Sequence, residues 1–155
     1  MRLILVDLPT ADRVNFHPLA LSRPIWELRC GMTNLAEKLV AGIRPSEVAC
    51  FLPDYLAETY RARTSWKVND LASLQGSDLL LVNPRLKAST FDISPAGPGQ
   101  VGLDEQGNIL YARIPMRDAA RLSGDGIESF LDLAKASLPA TPCSLPRWNY
   151  VWDLV

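Results

Sequence analysis

Three arginines and one histidine stand close together early in the chain: Arg13, His17, Arg23 and Arg29 all fall between positions 7 and 31. A guanidinium is planar and donates parallel hydrogen bonds, which suits phosphate and other anions. The bland alternative is a set of solvated loop charges, or ion pairs with Asp12 and Glu27. His17 precedes Pro18 and either touches a ligand or shapes the loop. Asp7 opens the segment. Its carboxylate either binds Mg²⁺ through water, as a hard ligand for a hard cation, or caps the loop backbone. Further on, Asn83 and Arg85 follow the apolar run Leu79–Val82, where they contact a ligand or form a turn.

These residues need a scaffold, and the pattern of apolar residues supplies one. Arg2 through Val6 reads as a buried strand, because its apolar run is continuous. A long irregular segment with Pro9, Pro18 and Pro24 follows. Thr33 or Asn34 caps a helix through Ile43, with Leu35, Leu39 and Val40 on one face. Val48 to Leu52 is a second strand, and Asp54 caps a helix to about Arg63 that places Leu56, Ala57 and Tyr60 on one side. Trp66 to Val68 forms a short strand, and Asp70 to Leu74 a helical turn. Asp78 to Asn83 carries the signature of a central parallel strand. Gln100 to Leu103 and Asn108 to Ile114 flank a turn at residues 104–107 and form a hairpin. Two helices, 116–122 and 127–136, precede a proline-rich tail. Trp148, Tyr150 and Trp152 alternate there with other residues, a period of two that predicts an extended segment with one aromatic face.

Strands alternating with helices imply an α/β fold: a Rossmann-like three-layer sandwich with a mostly parallel sheet and an added β-hairpin. In such sheets ligands bind beyond the carboxyl ends of the strands, here Asp7, residues 52–53 and residues 83–85. The segment after the first strand is long for a compact domain, which marks it as functional.

Composition removes many classes. The chain has 155 residues, one domain's length, with 48% hydrophobic and 21% charged residues. Its 16 Lys and Arg nearly balance 17 Asp and Glu, giving a net charge of -1 and no domain-wide basic field for nucleic acid. No apolar run reaches membrane-spanning length, and the first residues read as a strand rather than a signal peptide. Cys30, Cys50 and Cys143 are odd in number and lack zinc spacing, as expected of reduced thiols in a cytoplasmic protein. One histidine and no G-x-S-x-G elbow leave no serine-hydrolase constellation.

The stretch His17-Pro18-Leu19-Ala20-Leu21-Ser22-Arg23-Pro24-Ile25-Trp26-Glu27-Leu28-Arg29-Cys30-Gly31 resembles a motif of GlmU-like sugar nucleotidyltransferases. Residues 32–39, 53–60, 81–86 and 150–155 are similar to further segments of that family, in the same order. The resemblance implies a nucleotide-diphospho-sugar transferase-like fold. It further implies transfer of a nucleotidyl group from an NTP to a sugar-1-phosphate, with Mg²⁺ and release of pyrophosphate. Arg23 matches the place of a phosphate-binding lysine before proline in the wider superfamily, and Arg13 corresponds to the arginine of its glycine-rich loop. Both are thereby implied as charge-stabilising catalytic residues. By their places in the loop and at the strand ends, Arg29, His17, Asn83 and Arg85 are the candidates for binding substrate and Asp7 for binding metal. In the family a left-handed β-helix of acyltransferase type follows, so residues 1–155 are expected to be one nucleotidyltransferase-like domain at the N-terminal end of a longer protein, with homo-oligomers compatible.

Two departures keep a second reading open. Residues 8–29 contain no glycine, although a glycine-rich loop is what brings backbone N–H groups close to phosphates. Asn83-Pro84-Arg85 stands where the superfamily ends its central strand with a metal-binding aspartate. The second reading is a non-catalytic domain that binds a nucleotide-sugar or orients an adjoining acyltransferase β-helix. A third is an α/β domain with no ligand.

Overall fold

The structure is a computed structural model, and it describes residues 1–90 and 92–155. Its centre is strand β1 (Arg2–Val6), flanked in parallel by β4 (Glu47–Phe51) and β6 (Leu79–Val82). The short strand β5 (Lys67–Val68) extends the parallel set beyond β4. Along β1 side chains alternate between faces, as the pleat requires. Leu3 and Leu5 enter one apolar layer with Trp26, Leu39 and Tyr60, whereas Ile4 enters the opposite layer with Leu81, Ala112 and Phe130. The sheet is therefore covered on both sides, which explains its nearly unbroken apolar strands.

Helices supply the two covers. α1 (Leu35–Ile43) and α2 (Asp54–Arg61) lie on the Trp26 side, and α3 (Met116–Ala119) and α4 (Ile127–Ser137) contribute to the other. Asn34 starts α1 with a reciprocal capping box: its side chain accepts from the Glu37 N–H at 2.8 Å, and Glu37 accepts from the Asn34 N–H at 2.9 Å. α2 begins one residue earlier in its cap than expected. Pro53 occupies the cap position and Asp54 is the first helical residue.

The third strand of the core meets its expected parallel setting on one edge. β6 is parallel to β1 on one edge, but on the other it pairs antiparallel with β8 (Ile109–Ile114). β8 in turn pairs antiparallel with β7 (Gln100–Leu103), so the hairpin enters the sheet reversed. β9 (Ala140–Pro142), unexpected in a proline-rich tail, runs parallel to β7 at the sheet edge, where proline is tolerated. The order is β5-β4-β1-β6-β8-β7-β9.

The long segment after β1 is a packed layer. Three 3₁₀ turns, Ala11–Phe16, Leu19–Leu21 and Ile25–Glu27, drop Phe16, Ala20, Ile25 and Leu28 into a small core shared with Leu35 and Leu154. It ends in a two-stranded ribbon of β2 (Arg29–Cys30) and β3 (Thr33–Asn34). The tail also differs from expectation. The Asp153 carboxylate accepts from the Asn149 and Tyr150 N–H groups at 2.8 and 3.0 Å, and residues Val151–Leu154 turn into a 3₁₀ helix. Tyr150 and Trp152 consequently stack on each other at 4.6 Å, while Trp148 lies beneath Lys87.

Candidate functional site

At the carboxyl ends of β1 and β6 lies a cleft of about 440 Å³. One wall comes from the end of β1 and the loop beyond it, and the floor from residues 81–85. The far wall is made by the β7–β8 turn and by one face of α4: Glu128, Leu131, Asp132 and Lys135. The spacing of three, four and seven residues is what brings those four side chains onto one helical face. Lys135 Nζ donates to the Gly107 carbonyl at 2.6 Å and ties the turn to the helix. Gly107 itself has a φ of 79°, which favours glycine at the tip.

Asp7 sits at the mouth of β1 and is almost fully buried. Its Oδ1 accepts from Arg13 Nε at 3.0 Å and its Oδ2 from the Ile25 N–H at 2.9 Å. Burial pushes its carboxyl above the usual aspartate range, against the pull of the Ile25 N–H and of the Arg13 and Arg85 charges. Arg13 also donates to Tyr55 Oη at 3.0 Å and to the Arg23 carbonyl at 3.3 Å. Asp7 and Arg13 together pin the loop to β1 and α2.

Arg85 is the other buried charge of the cleft, only 7% exposed. The Asn83 side chain accepts from the Arg85 N–H at 3.0 Å, a local turn that follows from Asn two residues upstream. Arg85 Nη2 donates to Asp12 Oδ2 at 2.9 Å.

The structure therefore brings Asp7, Asn83 and Arg85 together on the cleft, with Arg13 behind Asp7. Arg23 and Arg29 are exposed and His17 is half-buried at the end of the first 3₁₀ turn, and none of the three lines the cleft. The loop arginines thus diverge. The expected partners of these arginines, Asp12 and Glu27, pair instead with Arg85 and Arg63. The pairing of Asp12 with Arg85, and the α4 face, are not evident from the sequence. The spacing on α4 is legible, but that this face meets the ends of β1 and β6 depends on the hairpin's reversed insertion.

The donor set does not fit a divalent cation at Asp7. Both carboxylate oxygens are engaged, the Arg85 guanidinium is near, and among the described residues no three His, Cys, Asp or Glu side chains converge. Also among the described residues, no helix is long and apolar enough to cross a membrane.

A family model described as sugar nucleotidyl transferase matches residues 3–155. Among solved structures, the chain is similar to a nucleotidyl transferase from Methanothermobacter thermautotroptrophicus, with 13% identity over 98% of this chain and 93% of that one and a TM-score of 0.55. It is also similar to the CTP:phosphocholine cytidylyltransferase of Streptococcus pneumoniae, with 9% identity over 98% and 95% and a TM-score of 0.51. A Mycobacterium tuberculosis protein solved with manganese aligns at 16% identity over 99% and 94%, with a TM-score of 0.49. No curated protein matches the sequence. The two likenesses above a score of 0.5 show a nucleotidyltransferase fold.

Proposed function

Because the chain belongs to the sugar nucleotidyl transferase family, we propose that its cleft holds an NTP and a sugar-1-phosphate and joins them. A phosphate oxygen of the sugar phosphate attacks the α-phosphorus of the NTP. The bond from that phosphorus to the bridging oxygen of the β-phosphate breaks, and pyrophosphate leaves. Such a reaction is mostly positioning and charge neutralisation. The observation that carries the reading is the placement of the Arg85 guanidinium in a cleft at the carboxyl ends of β1 and β6. Arg85 would neutralise phosphate charge, and Asn83 would hold the Arg85 backbone in place. Asp7 and Arg13 are assigned a positioning role, since each satisfies the other. No step is assigned to Mg²⁺, because the Asp7 carboxylate is buried and each of its oxygens already accepts from a protein donor.

Pyrophosphate release, measured across several NTPs and sugar-1-phosphates with and without Mg²⁺ or Mn²⁺, tests the reading. Turnover with one pair is the expected result, and no turnover with any pair from folded protein overturns it.

The second reading, a cytoplasmic domain that holds a nucleotide-sugar without turnover or orients an adjoining acyltransferase β-helix, rests on a specific observation. The loop that would cradle phosphates has no glycine and is packed by Phe16, Ala20, Ile25 and Leu28. Nucleotide-sugar binding without pyrophosphate release would favour it.

A further inference from the structure

We infer that Arg85 recognises phosphate in this cleft without a divalent cation, and that Asp12 is an internal carboxylate which the incoming phosphate displaces. The inference rests on the proposed nucleotidyl-transfer cleft and names how that cleft takes its anion.

A guanidinium has five N–H donors and no acceptor. Arg85 uses Nη2 on Asp12, and among the described residues its Nε and Nη1 meet no protein acceptor. No buried polar side-chain atom is left unsatisfied among those residues. The two remaining nitrogens therefore keep contact with solvent, and Arg85 lines the cleft. The partners are unequal: 9% of the Arg85 side chain is exposed, against 47% for Asp12. Arg85 is fixed at the end of β6 by the Asn83 turn and by the Trp148 N–H, which donates to the Arg85 carbonyl at 2.8 Å. Asp12 sits on a 3₁₀ turn at the cleft edge and can swing into water at little cost. A phosphate presents more negative charge and more acceptor oxygens than one carboxylate, and it can engage two nitrogens of the fork at once. A cation at the same place would meet the Arg85 charge and a buried Asp7 that is already paired with Arg13. Arg85 and Lys135 are the two cations of the lining, which also carries the carboxylates of Asp7, Asp12, Glu128 and Asp132, so an anion entering the cleft depends on the Arg85 fork.

Titration calorimetry of the chain tests this with uridine triphosphate and, separately, with a hexose 1-phosphate, in EDTA and in excess Mg²⁺. The two probes distinguish the nucleotide from the sugar phosphate as the source of the anion. At least one is expected to bind in EDTA. Asp12→Asn should tighten that binding about fivefold, the effect of releasing a partly exposed ion pair. Arg85→Lys should weaken it about tenfold or more, since the fork is lost. If Arg85→Lys does not fold, Asp12→Asn decides alone, because its side chain is half exposed. Binding that requires Mg²⁺ overturns the inference and leaves nucleotidyl transfer standing. Unchanged affinity in Asp12→Asn also overturns it. Absence of binding in both buffers overturns it as well, whereas the transfer reading falls only on the pyrophosphate assay.

Discussion

Arg13 Nε meets Asp7 Oδ1 at 3.0 Å, with 5% and 1% of the two side chains exposed. An ion pair this deep has lost most of its hydration on both sides, so its integrity depends on each partner keeping the other. It joins the end of the central strand to a loop built mainly of three 3₁₀ turns. A loop charge that looks in sequence like a ligand contact is thereby committed to the architecture that shapes the cleft.

Arg13→Met should cost about 3–5 kcal/mol in urea unfolding, because it strands a buried carboxylate. Asp7→Asn combined with Arg13→Met should recover part of that loss, since no buried charge then remains. A cost below about 1 kcal/mol for Arg13→Met, the range of exposed pairs, would show that the pair does not hold the loop.

The sequence shows best what depends on neighbours along the chain. Leu3-Ile4-Leu5 makes β1 a strand buried on both faces, and Asn34 with Glu37 three residues later marks the start of α1. The Asp104–Gly107 turn announces its hairpin. Relationships across the sheet are less legible. β8 lies between β6 and β7, and nothing in its residues says that it pairs with β6 rather than with a parallel strand. The Asp12–Arg85 pair spans 73 positions, so the cleft's central charge contact depends on topology. At the tail, the period of two at Trp148, Tyr150 and Trp152 is overridden by Asp153, whose carboxylate gathers two backbone N–H groups and closes a turn.

Asp104 links the hairpin turn to the tail and sets an acid limit on stability. Although burial opposes ionisation, hydrogen bonds from Arg147 and Asn108 bring its carboxyl down to about 2 from an ordinary 3.8. A depressed folded-state value means that the unfolded chain takes up the proton first. The stabilisation is fully present above pH 4, is lost as the pH falls through 4 toward 2, and amounts to at most about 2 kcal/mol. Thermal melts of Asp104→Asn across this range should show a shallower acid slope than the parent. An identical slope would remove Asp104 from the acid response.

Gly102 and Tyr111 face each other across β7 and β8. A Cβ on Gly102 would overlap the Tyr111 ring, so the ring lies over the bare glycine backbone. Gly102→Ala should therefore destabilise by about 1–3 kcal/mol, as other insertions into packed space do. Adding Tyr111→Val should lessen the cost of the alanine, which a double-mutant cycle in urea reads directly. Independent, additive costs would mean that the ring moves aside freely.

Trp26 anchors the loop from its far end. Its ring is fully buried, and its Nε1 donates to Tyr60 Oη on α2 at 3.0 Å. The rings meet edge to face, 5.7 Å apart. Tyr60→Phe keeps the ring contact and deletes the acceptor, leaving a buried indole N–H with no partner. The expected cost is about 1–3 kcal/mol, the penalty for an unsatisfied buried donor. In a Trp26→Phe background the same change should cost much less, because no indole N–H remains to be orphaned. Equal costs in both backgrounds would show that the Tyr60 hydroxyl acts through another partner, such as Thr64, and that the loop's attachment to α2 does not depend on this hydrogen bond.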